Sequence, residues 1–193
     1  MQVAPWEIII SFVIAFIFVS TVVINREKKR MQNYDWEWNL IEYKKIVDSP
    51  DTPTDILIAL VNEDLGWRLH EYMATSENMP VPVLEMLAKD KDFKVRKAVA
   101  ENKNSPASIL EKLSNDKDSD VRAMVAASPA ATPAVLEMLA RDKDNWVREN
   151  VATNLCTPIN VLEALAGDVD ADIRMHSRIT ASRISAKEKG DGK

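Results

Sequence analysis

The chain has 193 residues, 46% of them hydrophobic, with a formal charge of −5 and one cysteine. Residues 51–183 carry 22 acidic against 16 basic side chains, a difference of −6, and that balance disfavours nucleic acid as a partner because phosphate binding needs clustered cations. Cys156 alone excludes an internal disulfide framework, a CxxC redox pair and a thiolate-ligated zinc or iron–sulfur site built by this chain.

From Ile8 to Ile24 the chain carries no charge, and extension back to Val3 adds only Glu7. A helix over Val3 to Ile24 is roughly 33 Å long at about 1.5 Å per residue, enough for a hydrocarbon core of about 30 Å. Trp6 suits the membrane interface. No Lys or Arg precedes the apolar run, whereas Arg26, Lys28, Lys29 and Arg30 follow it. The positive-inside rule then places the N-terminus outside and the rest in the cytoplasm. A cleaved signal peptide needs leading positive charge, a shorter apolar core and a small-residue cleavage site, and the segment has none of these. Residues 1–30 are therefore predicted to be a single-pass anchor in the cell (inner) membrane, with the lipid bilayer as one partner.

In residues 31–51, Trp36, Leu40, Tyr43 and Val47 fall on one face of a helix that Asn33 or Asp35 can cap. That face either lies on the bilayer or covers the apolar end of the domain beyond it, and end-capping is the commoner need. Trp38, on the other side, is free to meet lipid or a protein partner.

After that the sequence repeats. Val95-Arg96, Val121-Arg122, Val147-Arg148 and Ile173-Arg174 recur every 26 residues. The same step relates Leu84, Leu110, Leu136 and Leu162, then Asp90, Asp116, Asp142 and Asp168. In the stretch from Ser105 to Ala131, Ser105 is expected to cap a helix beginning at Pro106 that turns Ile109, Leu110 and Leu113 inward. A second, shorter helix, capped by Asp118 or a neighbour, buries Val121, Met124 and Val125 and ends before Pro129. Thr52-Pro53, Thr132-Pro133 and Thr157-Pro158 repeat the start signal.

Two such short helices cannot bury their apolar faces alone, so neighbours must stack. Units fall at about 53–79, 80–105, 106–131, 132–157 and 158–183, within a domain over 52–183. The first is offset by one residue in its connecting turn. In the last, Ser177 and Arg178 replace the positions of Val151 and Ala152, as suits a solvent-facing end. Residues 184–193 are polar, with two glycines, and read as disordered.

The phrase TPxxVLExLAxDxDxxVRxxVA, from Thr132-Pro133 to Ala152 with variations in the flanking units, resembles the variant leucine-rich repeat, a relative of HEAT repeats. The resemblance covers roughly residues 52–183. It implies an all-α, right-handed curved stack of short helices and protein interaction in general. Asp90 with Arg96, Asp116 with Arg122, Asp142 with Arg148, and Asp168 with Arg174 look like the Asp and Arg that form ladders between adjacent HEAT units; the first unit offers Asp64 with His70. A unit of 26 residues is far shorter than a HEAT unit of about 40 to 47, and the chain lacks the cysteine cluster of one iron–sulfur family member.

The ladder reads as structural rather than as an anion-binding stripe. Asp-x-Asp pairs such as Asp116 with Asp118 lack the Gly and distal Glu of an EF-hand-like loop and read as helix caps. His70 and His176 are not framed by a catalytic motif, and Cys156 reads as an inert thiol beside a helix start. Trp67 and Phe93 share one repeat position at the start of second helices, and Trp146 is displaced by one, where Lys94, Asp120 and Asp172 stand in other units. An indole at a position that is otherwise charged is a candidate interface anchor.

The sequence thus predicts a transmembrane helix followed by a short α-solenoid of about five units. It predicts a membrane-anchored scaffold, an accessory or assembly subunit of a larger membrane complex with a membrane-embedded or membrane-associated protein partner. No catalytic residue, cofactor, metal or small-molecule substrate is predicted. The rival reading is a cofactor or chromophore attachment helper of lyase type built on a HEAT-like solenoid.

Overall fold

A computed structural model describes residues 36–63 and 65–190. The expected anchor over 1–30, with Trp6, Arg26, Lys28, Lys29 and Arg30, lies outside them, as do Asn33, Asp35 and Asp64. No helix of the described residues is long and apolar enough to cross a membrane.

The described residues form eleven helices and no strand. In chain order these are α1 (Trp36–Asp48), α2 (Thr54–Asn62), α3 (Trp67–Thr75), α4 (Val81–Leu87), α5 (Phe93–Glu101), α6 (Ala107–Leu113), α7 (Ser119–Ala127), α8 (Pro133–Leu139), α9 (Asn145–Thr153), α10 (Ile159–Leu165) and α11 (Ala171–Gly190). The chain divides into two compact units, Met1–Tyr43 and Lys44–Lys193, so the repeats and the last turn of α1 belong to the second. There the end of α1 buries Val47 and accepts the Tyr72 hydroxyl on both oxygens of Asp48, at 2.6 and 2.7 Å. Lys44 Nζ lies 4.4 Å from the centroid of the Tyr72 ring, a cation over a π-face.

The first helices α4, α6, α8 and α10 have seven residues and the second helices α3, α5, α7 and α9 have nine, so the second helix of a unit is the longer one, against expectation; at the ends α2 has nine residues and α11 twenty. The second helices α3, α5, α7, α9 and α11 each pack against the next; the first helices α6 and α8 sit between the second helix of their own unit and that of the unit before, α2 packs against α4, and α10 packs chiefly against α11. Small side chains permit that close row, because Ala74, Ala100, Ala126 and Ala152 occupy one buried position, repeated once per unit. Leu84, Leu110, Leu136 and Leu162 form one buried line, and Val95, Val121, Val147 and Ile173 form the other. Each unit therefore completes its core with its neighbours.

Local signals set the helix starts. Asp92, Asp118 and Asp144 cap α5, α7 and α9, each accepting the N–H two residues on. The first helices start differently from expectation. Pro53, Pro80, Pro106 and Pro158 are themselves the cap residues, and only Thr132 caps through its hydroxyl, accepting from Val135 N–H. The other hydroxyls point backward: Thr52 Oγ1 donates to Ile46 C=O at 2.6 Å, Ser105 Oγ to Val99 C=O at 2.5 Å, and Thr157 Oγ1 to Val151 C=O at 2.7 Å. Each ties off the end of the preceding helix, where carbonyls lack intrahelical partners. In the repeat register Thr132 aligns with Pro106 and Pro158, so its hydroxyl is free for the capping role.

The offset first unit makes its turn through Gly66, whose φ of 88° and ψ of 153° suit a residue without Cβ. At the other end, α11 runs on to Gly190, so residues 184–190 are helical rather than the start of a disordered tail. Ser177 there is fully buried, against the expectation of exposure, and satisfies its hydroxyl on Arg174 C=O at 3.0 Å. Arg178 is exposed, as expected.

Candidate functional site

The ladder runs between units, and its geometry differs from the six-residue pairs that the sequence suggested. Arg96 Nε and its second terminal nitrogen donate to the two oxygens of Asp116, 20 residues ahead, at 2.6 and 2.9 Å. Arg122 grips Asp142 at the same two distances, and Arg148 grips Asp168 at 2.8 and 3.0 Å. The aspartate six residues behind contributes its backbone instead, since Asp90, Asp116 and Asp142 carbonyls accept from the remaining terminal nitrogen of Arg96, Arg122 and Arg148. One guanidinium thus fixes the turn of its own unit and clamps the next in a bidentate pair.

These rungs lie beneath the surface, with side-chain exposures of 12% or less on both partners. Burial pushes the Asp116 and Asp142 carboxyls up, but the arginine bonds together with the N–H bonds from Asp118 and Asp144 outweigh it and hold both below the usual carboxylate range. In Asp168 the bond from Arg148 leads, and the result has the same direction.

The first rung uses a histidine. His70 Nδ1 is 2.6 Å from Asp90 Oδ2, so its partner lies in the following unit, as for the arginines. Its Nε2 is buried with no partner among the described residues. Arg174, the last arginine in the ladder position, keeps only the inward contacts among the described residues, donating to Asp168 C=O at 2.8 Å and Val169 C=O at 2.9 Å.

A second set of ties escaped sequence reading. Asn102 Nδ2 donates to Ala74 and Ser76 carbonyls at 2.7 and 2.9 Å, and Asn154 repeats this on Ala126 and Ser128 at the same distances. Both asparagines are buried, and both accept from the N–H two residues on. Two asparagines separated by two periods were the available signal.

The candidate partner-binding aromatics do not form one patch. Trp67 and Phe93 are half-buried and line an open groove of about 390 Å³ with Lys94, Lys97, Glu101 and Asp120. Lys94 Nζ sits 4.1 Å from the centroid of the Trp67 ring. Trp146 lies apart on α9, outside this groove, and is 39% exposed. Trp38 lies in α1, but its side chain is outside the described part. Cys156 is exposed, with Sγ 3.5 Å from Pro129 C=O. His176 Nδ1 stands 3.3 Å from Glu149 Oε1, an ion-pair distance without hydrogen-bond alignment. Among the described residues no group of three or more His, Cys, Asp or Glu side chains could hold a metal.

No protein-family model and no curated protein matches the chain. One solved structure that resembles it is that of an engineered protein from a structural-genomics consortium, 16% identical, with 84% of this chain and 96% of that one covered and a TM-score of 0.46.

Proposed function

We propose that the chain is a membrane-anchored protein-interaction scaffold, an accessory or assembly subunit of a larger membrane complex, with its repeats on the cytoplasmic side. The observation that carries this reading is the unbroken series of buried Arg–Asp rungs from Arg96 to Asp168, which locks successive units in one register. A row held that way presents side chains at fixed steps, as Glu85, Glu111, Glu137 and Glu163 do, all exposed and each one period from the next. Such surfaces recognise extended partners. The uncharged run from Ile8 to Ile24 and its trailing cations support the anchor, and confinement to a membrane raises the effective concentration of a partner that shares it.

In the same reading the units are variant leucine-rich, HEAT-like repeats wound into a right-handed solenoid, and α1 is its N-terminal cap. The bonds from Tyr72 to Asp48 support the cap.

The test is purification of the intact chain in mild detergent with identification of a stoichiometric partner. A defined membrane complex that co-elutes, and is lost when residues 1–30 are deleted, is the expected result. Monomer alone, with no cellular effect of the deletion, discards the reading. Cys156 reports topology, since an impermeant maleimide should label it only after the membrane is opened; labelling of intact cells would overturn the cytoplasmic placement.

A further inference from the structure

Three arginines pass a two-pronged contact to the following unit, and Arg174 occupies the same position with no carboxylate to receive it among the described residues. Its Nε and second terminal nitrogen meet no carboxylate among the described residues, although one terminal nitrogen makes the same inward bond as in earlier units. The nearby acids are already engaged. Asp168 is held by Arg148 and by the Asp170 N–H, while Asp170 caps α11 by accepting from Asp172 and Ile173 N–H groups.

The surface around this open fork departs from the repeat pattern in the same sense. Arg178 takes the position of Ala74, Ala100, Ala126 and Ala152, which are buried in the row of second helices. Arg178 is exposed, with one weak bond to Ala166 C=O at 3.4 Å. Val169, 92% exposed, replaces the lysines Lys91, Lys117 and Lys143 of earlier turns. An acidic repeat domain therefore ends on a face with two arginines one helical turn apart and an exposed apolar side chain beside them.

We propose that this end of the row is a docking face for an acidic helical segment of a partner protein. A carboxylate in the turn before its helix accepts from the Arg174 fork, as Asp116, Asp142 and Asp168 accept within the chain, and Arg178 adds a second cationic contact. The charge complementarity and the vacant rung both point to that occupant. The existence of a natural partner rests on the scaffold reading, but the chemistry of the face does not.

Fluorescence anisotropy on the full chain in detergent micelles tests the proposal directly. The probe is a labelled peptide of residues 132–157 with Cys156→Ser, which carries Asp142 and Asp144 before its second helix, and its twin has Asp142→Asn. The aspartate peptide should bind about tenfold or more tightly than the twin, as for a charge-assisted bidentate pair against a neutral one. Arg174→Gln in the full chain should abolish that discrimination, and Arg174→Lys, which keeps charge without the fork, should restore part of it. Equal binding of the two peptides, binding of neither, or unchanged discrimination with Arg174→Gln overturns the proposal and leaves a solvent-facing end. The scaffold reading fails separately, when no complex co-elutes with the wild-type chain.

Discussion

Arg122 closes on Asp142 rather than on the carboxylate of Asp116, with Nε and a terminal nitrogen at 2.6 and 2.9 Å from its two oxygens. The third contact, to Asp116 C=O at 2.8 Å, leaves the guanidinium engaged with both its own unit and the next. Arg122→Met removes all of this and leaves the Asp142 carboxylate beneath the surface with only the Asp144 N–H. Loss of one partner from such a pair costs about 3 to 5 kcal/mol. Urea unfolding in fixed detergent measures it, and a loss below about 1 kcal/mol would class the rung with surface ion pairs.

Asn154 is predicted to be the next most sensitive polar residue. Its side chain satisfies two carbonyls of the preceding unit and accepts the Cys156 N–H at 2.8 Å. Asn154→Ala leaves buried groups without partners, at about 1 to 3 kcal/mol for each one orphaned. Asn150→Ala is the control, since its exposed bond to Trp146 C=O should matter by no more than about 0.5 kcal/mol. Equal effects of the two substitutions would contradict the role assigned to the buried tie.

Acid should loosen the row through Asp116, Asp142 and Asp168. All three are held below the usual carboxylate range in the folded chain, while the unfolded chain has ordinary aspartates near about 3.9. Between those values the unfolded chain binds more protons, so stability rises with pH there. The contribution is complete above roughly pH 5 and is lost as pH falls through the folded values. Urea midpoints between about pH 7 and pH 3 should fall at the acid end, and less steeply in a variant carrying both Arg122→Met and Asp142→Asn. A midpoint that stays level or rises toward acid would show that the rungs do not titrate this way.

The repeat period was legible because the buried leucines and valines return at one constant step, and the helix caps were legible in the Asp-x-Asp turns. The direction of the ladder was not. Asp90 stands behind Arg96 and Asp116 stands ahead of it, at offsets that differ by one period, so the sequence pattern treats the two alike. Only the placement of one unit on the next separates carboxylate from carbonyl contact. The same ambiguity hid the Ser105 and Thr157 hydroxyls, whose backward bonds to Val99 and Val151 compete with forward capping at the same Ser/Thr-Pro step. At the C-terminal end, Ser177 looked exposed because it replaces a core valine, yet its hydroxyl closes on its own helix and the side chain stays buried.

Trp146 separates interface from core by its position. It stands where Arg68, Lys94, Asp120 and Asp172 stand in other units, and 39% of it is exposed. Trp67 instead packs in its groove with Lys94 above the ring. Trp146→Ala should therefore change folding stability by less than about 1 kcal/mol, whereas Trp67→Ala also removes a cation–π contact of about 0.5 to 1 kcal/mol and the packing beneath it. If Trp146 anchors a partner, its truncation weakens binding by at least about 2 kcal/mol while urea unfolding stays near wild type. Thermal and urea unfolding of both variants, paired with quantitative co-elution, distinguishes the roles. Unchanged partner recovery with Trp146→Ala would remove the Trp146 side chain from the contact surface.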